Sequence, residues 1–78
     1  MKISVAGLGY VGLSLSILLA QKHEVIGYDI NQEKIALLNK KTSPIFDSEI
    51  SRYLQEKKLH VSFTTNPEIA FKDVDYLV

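Results

Sequence analysis

The sequence predicts an α/β domain, a mainly parallel sheet with helices packed on its faces. Three observations point there. Short apolar runs rich in β-branched residues recur along the chain, segments with helical spacing separate them, and a glycine-rich turn joins the first run to the first helix. Lys2 to Ala6 has the pattern of a strand buried on both faces. Gly7 to Gly12 follows as the turn, and Leu13 to Gln21 is apolar on most sides, as a helix lying on a sheet must be. Gln21 to Glu24 is a polar break. Val25 to Asp29 reads as a second buried strand with an acid at its carboxyl end.

Asn31 to Lys41 is helical in pattern, with Ile35 and Leu38 three apart and Leu37 beside them. Thr42-Ser43-Pro44 interrupts it, because proline disfavours helix at the residue before it. From Asp47 to Lys58 a cleaner amphipathic helix is expected, with Ile50, Tyr53 and Leu54 on one face. Val61 to Thr64 alternates and reads as a third strand. Asn66 supplies a cap acceptor and Pro67 the first helical position of a short helix ending near Lys72. Asp75 to Val78 begins a fourth apolar strand. Right-handed crossovers place the strands in the order 3-2-1-4. A strand of a few residues at the end of the chain gives the expectation that residues 1–78 are the front half of a doubly wound domain.

Composition narrows the function. Seventy-eight residues make one small domain at most. The absence of cysteine excludes a disulfide, a thiolate zinc site and a cysteine nucleophile within these residues. Nine basic against nine acidic residues give no positive excess, which argues against a nucleic-acid partner. At 46% hydrophobic the chain is too apolar to be disordered, and a soluble, cytoplasmic piece is expected. Ile3 to Ala20 carries no charge and superficially matches a signal peptide or a membrane span. Gly7, Gly9 and Gly12 break that run, Ser14 and Ser16 dilute it, and Leu18-Leu19-Ala20 lacks the small residue a cleavage site needs. The expectation is no membrane partner.

Gly7-Leu8-Gly9-Tyr10-Val11-Gly12 fits G-x-G-x-x-G in the setting that gives it meaning: after a strand, opening a helix, and 20 positions from Gly9 to the strand-end acid Asp29. This is the Rossmann-type dinucleotide fingerprint. Gly7 permits the tight turn, Gly9 lets a pyrophosphate approach the backbone, and Gly12 lets the helix sit close to the sheet. The amides of Tyr10 and Val11, at the positive end of the helix, supply donors to an anion. Asp29 would accept from the adenosine ribose hydroxyls and repel a 2′-phosphate, so NAD is expected over NADP. Lys34, one turn into the next helix, either reaches the ribose or adenine edge or is a solvated helix lysine.

The other candidates are weaker. His23 and His60 have no cysteine or histidine partner at ligand spacing and read as surface residues; no metal is expected. Asp73 and Asp75 flank a turn and read as solvated. Lys40-Lys41 and Lys57-Lys58 fall at helix ends, where cations complement the dipole. Tyr53 and Phe63 belong to core patterns, and Ser43 and Ser48 lack a nearby histidine and acid to activate them.

The opening Met1-Lys-Ile-Ser-Val-Ala-Gly-Leu-Gly-Tyr-Val-Gly-Leu13 resembles the amino terminus of the UDP-glucose 6-dehydrogenases, within the wider UDP-glucose/GDP-mannose dehydrogenase family. His23-Glu24-Val25, Asp29, Lys34, Ser43-Pro44-Ile45 and Phe63-Thr64-Thr65 match in order and spacing, and the similarity spans essentially the whole chain. One departure is Asp47-Ser48-Glu49-Ile50, where many relatives carry Glu-Pro-Gly-Leu. The resemblance implies oxidation of the C6 hydroxyl of UDP-glucose to a carboxylate in two NAD-linked steps, through a covalent adduct on a cysteine. It implies cofactor-binding positions at Gly7, Gly9, Tyr10, Val11, Gly12, Asp29 and Lys34. The catalytic residues and the UDP-sugar domain are expected beyond these residues, so that the 78-residue chain alone is inactive, and the full-length protein is expected to be a homodimer. Two other readings stay open at this point. One is a nucleotide-sensing regulatory module without chemistry, and the other a hydroxyacid or 6-phosphogluconate-type dehydrogenase.

Overall fold

The computed structural model describes residues 1–42, 48–56 and 60–78, the side chains of residues 48, 49, 51 and 56 excepted. Among the described residues eight elements follow one another: β1 (Lys2–Ala6), α1 (Tyr10–Ala20), β2 (Glu24–Tyr28), α2 (Gln32–Asn39), α3 (Ser48–Glu56), β3 (Val61–Thr64), α4 (Pro67–Phe71) and β4 (Tyr76–Leu77). All strand pairings are parallel and the sheet runs β3-β2-β1-β4, the expected order. The chain steps from β1 to β2 to β3 in one direction, then returns past two strands to β4. With right-handed crossovers that reversal puts α4 on the opposite face of the sheet from α1, α2 and α3.

Burial agrees with this division. Ile3, Val5, Val25 and Phe63 point to one face and form a single core with Leu13, Ile17 and Ala20 of α1, Ile35 and Leu38 of α2, and Ile50 and Leu54 of α3. Tyr53 packs against its edge. Period-2 alternation sends Ser4, Ile26 and Tyr28 to the other face. There Ile26 and Ala70 are buried, and the rings of Tyr28 and Phe71 meet at 5.0 Å.

The element boundaries differ from the sequence expectation in instructive ways. Helix α1 begins at Tyr10 rather than Leu13, so Gly12 lies within the helix and not in the turn. Helix α2 stops at Asn39 because Lys41 takes a left-handed φ of 60°. The amides of Lys41 and Thr42 then reach back to the carbonyls of Leu38 and Leu37, the bonding of a Schellman cap. Asp29 stands one residue past the end of β2. Asp75 is not merely solvated, since its Oδ2 accepts from the Lys2 amide at 2.8 Å and ties the start of β4 to β1. Ser43-Pro44-Ile45, Asp47 and Lys57-Lys58 lie outside the described residues, and so does the side chain of Ser48.

Candidate functional site

The seven residues singled out from sequence stand at the carboxyl edge of β1 and β2, where the chain turns into α1 and α2. Gly7 leaves β1 with φ at +86°, a conformation that L side chains rarely adopt, and its amide donates to the Tyr28 carbonyl at 2.8 Å. The turn is thereby stitched to the end of β2. Gly9 is the N-cap of α1, and the space a Cβ would occupy there is open to 4 Å. At Gly12 a Cβ would overlap the Gly7 carbonyl oxygen, so the helix rests directly on the turn's backbone. Ser16 Oγ donates to the Gly12 carbonyl at 2.7 Å, one turn on.

Among the described residues no side chain caps the start of α1 at Gly9, and its first turn has no acidic residue. Helices α2 and α4 differ: Asn31 accepts from the Lys34 amide, Asn66 from the Glu68 amide, and each first turn carries a glutamate. The amino end of α1 is therefore positive, its N-cap supplies no side-chain acceptor, and Tyr10 and Val11 are exposed beside it.

Asp29 is held from three directions. Its Oδ2 accepts from the Leu8 amide inside the glycine turn at 2.9 Å and faces Lys34 Nζ at 3.4 Å. Its Oδ1 accepts from the Asn31 amide at 2.9 Å. The Asp29 side chain is only 13% exposed. Burial alone would raise its carboxyl pKa, but the Leu8 and Asn31 amides, helped by the Lys34 ammonium, outweigh it and hold the group below its ordinary 3.8. A carboxylate offers about four lone-pair sites, so Oδ1 keeps acceptor capacity for one further donor.

Sequence spacing brought Asp29 to the turn but missed how it is engaged. Nothing in the sequence pattern shows the Leu8 amide as its partner. Lys34 lies against Asp29, its Nζ 3.4 Å from Oδ2, instead of extending into solvent. Gly27, in the middle of β2, also escaped attention. The arrangement offers an anion the backbone of a helix start, and offers a neighbouring hydroxyl an ionised carboxylate.

The sequence pattern of the UDP-glucose/GDP-mannose dehydrogenase family, NAD binding domain, matches residues 1–78. UDP-glucose 6-dehydrogenase of Streptococcus pneumoniae is 47% identical over 78 residues, which are all of this chain and 20% of the relative. GDP-mannose 6-dehydrogenase of Pseudomonas aeruginosa is 41% identical over 78 residues, with 96% of this chain and 18% of the relative covered. A crystal structure of a ternary complex of GDP-mannose dehydrogenase from Pseudomonas aeruginosa superimposes with a TM-score of 0.89 at 39% identity, covering 99% of this chain and 18% of that one. The chain thus spans about a fifth of the length of these relatives. On the match across residues 1–78 and these likenesses, the chain belongs to the UDP-glucose/GDP-mannose dehydrogenase family and carries the fold of its NAD binding domain.

Proposed function

We propose that these residues hold the adenosine diphosphate half of NAD for a nucleotide-sugar dehydrogenase, with UDP-glucose as the sugar nucleotide oxidised at C6. The observation that carries the reading is the open space at Gly9 beside an uncapped α1, with the Asp29 carboxylate anchored to the same turn. Gly9 and the first amides of α1, near Tyr10 and Val11, would hold the diphosphate. Gly7 and Gly12 let turn and helix close on one another beneath it. The spare acceptor site on Asp29 receives a ribose hydroxyl, while the Leu8 and Asn31 amides, helped by Lys34, keep the carboxylate ionised. A 2′-phosphate would meet that carboxylate, which favours NAD over NADP. Bound NAD supplies a hydride acceptor, and the groups that oxidise the sugar lie in other parts of a longer, homodimeric protein. UDP-glucose is preferred among the family's sugars because the 47% identity is to a UDP-glucose 6-dehydrogenase.

The test is an assay of the intact protein with NAD and either UDP-glucose or GDP-mannose, following NADH. The reading expects two NADH per UDP-glucose and no turnover of GDP-mannose. Turnover of GDP-mannose alone would move the assignment to the other branch of the family, and NAD binding without turnover of any nucleotide sugar would favour a sensor.

A further inference from the structure

A row of residues crosses the sheet beneath the glycine turn. Val5 on β1, Gly27 on β2 and Phe63 on β3 are register partners, and Val5 and Phe63 both belong to the core on the α1 side. Gly27 interrupts the row. It is buried, and Gly7 is the glycine with a positive φ among the described residues, so backbone conformation does not explain a glycine at 27. Space does. A Cβ at Gly27 would stand 2.8 Å from Phe63 Cδ1 and 3.1 Å from both Cδ atoms of Leu8. Leu8 is a residue of the turn, yet it is fully buried. Its side chain fills the hole above the bare backbone of Gly27, while its own amide bonds Asp29 Oδ2 at 2.9 Å.

We propose that Gly27 is a positioning residue for the glycine turn: the hole it leaves in the sheet seats Leu8, and that seating sets the height of the turn and aligns the Leu8 amide with Asp29. A methyl group at 27 presses on Phe63 Cδ1 and on both Cδ atoms of Leu8, and so pushes Leu8 outward. The displacement then passes along one residue to Gly9 on one side and through the amide bond to Asp29 on the other. Position 27 thus acts on both contacts assigned to the cofactor without touching it. The consequence for NAD rests on the function proposed above; the seating of Leu8 does not.

The experiment uses the intact protein and two readouts, amide hydrogen exchange at residue 8 and affinity for NAD. Loss of one charge-assisted hydrogen bond is worth roughly ten- to a hundredfold, so Gly27→Ala is expected to speed exchange at residue 8 and weaken NAD binding by at least about tenfold each. Adding Leu8→Ala to Gly27→Ala removes the contacts with Leu8, leaves the 2.8 Å approach to Phe63 Cδ1, and sets the new methyl in part of the space Leu8 vacates, so it is expected to recover part of both losses. Adding Phe63→Leu instead is expected to recover neither. A role in core packing alone predicts the reverse, rescue through Phe63, whose ring is nearer. Leu8→Ala by itself introduces no overlap, so it serves if Gly27→Ala does not fold, and it too should speed exchange at residue 8. Unchanged exchange at residue 8 in folded Gly27→Ala or in Leu8→Ala, or rescue through Phe63 and not Leu8, overturns the proposal. A wild-type protein that does not bind NAD refutes the proposed function instead, and the exchange data still decide the role of Gly27.

Discussion

Asp29 concentrates most of the site's chemistry in one side chain. Because the Leu8 and Asn31 amides and Lys34 favour its ionised form, its folded pKa lies below 3.8. The unfolded chain takes up the proton first as pH falls, so the stabilising contribution is complete above the unfolded value and is lost through the folded one. Urea unfolding followed from neutral pH downward should show an acid loss of stability that is smaller in Asp29→Asn; identical curves would contradict the hydrogen bonding described. Asp29→Ala should weaken NAD binding by roughly 1.5–3 kcal/mol, and by more than Lys34→Ala, since Lys34 acts through the carboxylate. Titration calorimetry on the intact variants checks this, and equal, negligible losses would remove Asp29 from the site. Ser4 presents the opposite case. Its Oγ is buried without a hydrogen-bond partner among the described residues, so Ser4→Ala should raise stability by about 1 kcal/mol in denaturant titration. A less stable variant would mean that the hydroxyl has a partner. The spacing of 20 from Gly9 made Asp29 legible in the sequence. The amide of Leu8 was not, because a backbone donor carries no residue signature.

Among the elements, α1 depends on the turn before it. A Cβ at Gly12 overlaps the Gly7 carbonyl, which belongs to the backbone and cannot rotate away. Gly12→Ala should therefore separate helix and turn at a cost of about 1–3 kcal/mol, with NAD binding lost alongside. Denaturation and titration of the same sample would show it, and wild-type values in both would contradict the packing. The carboxyl end of α2 offers a gain. Lys41 occupies a left-handed position that costs a side-chain-bearing residue about 1 kcal/mol, so Lys41→Gly should stabilise the protein by up to that amount. Strands and capped helices were legible from sequence, Asn66-Pro67 most clearly, because their signals are local. The start of α1 was legible only in part: the fingerprint gave Gly12 a close-packing role, but not the Gly7 carbonyl as the group it packs on. Gly27 was hidden for the same reason, since its constraint comes from Leu8 and Phe63, 19 positions before it and 36 after.

For the molecule as a whole, the strand order followed from the sequence because handedness leaves few topologies open once the element order is known. That order places the turn, the start of α1 and the end of β2 along one edge of the sheet, and the family to which the chain belongs matches over the same residues. No helix among the described residues is long and apolar enough to cross a membrane. This edge is the proposed seat of a dinucleotide whose ribose meets the remaining acceptor site of the Asp29 carboxylate. Titrating NAD and NADP into the intact protein, with Asp29→Ala in parallel, tests it most directly. The account predicts saturable NAD binding at least about tenfold tighter than NADP, with the gap narrowed in the variant. Equal affinities for the two dinucleotides, or no binding of either, would contradict it.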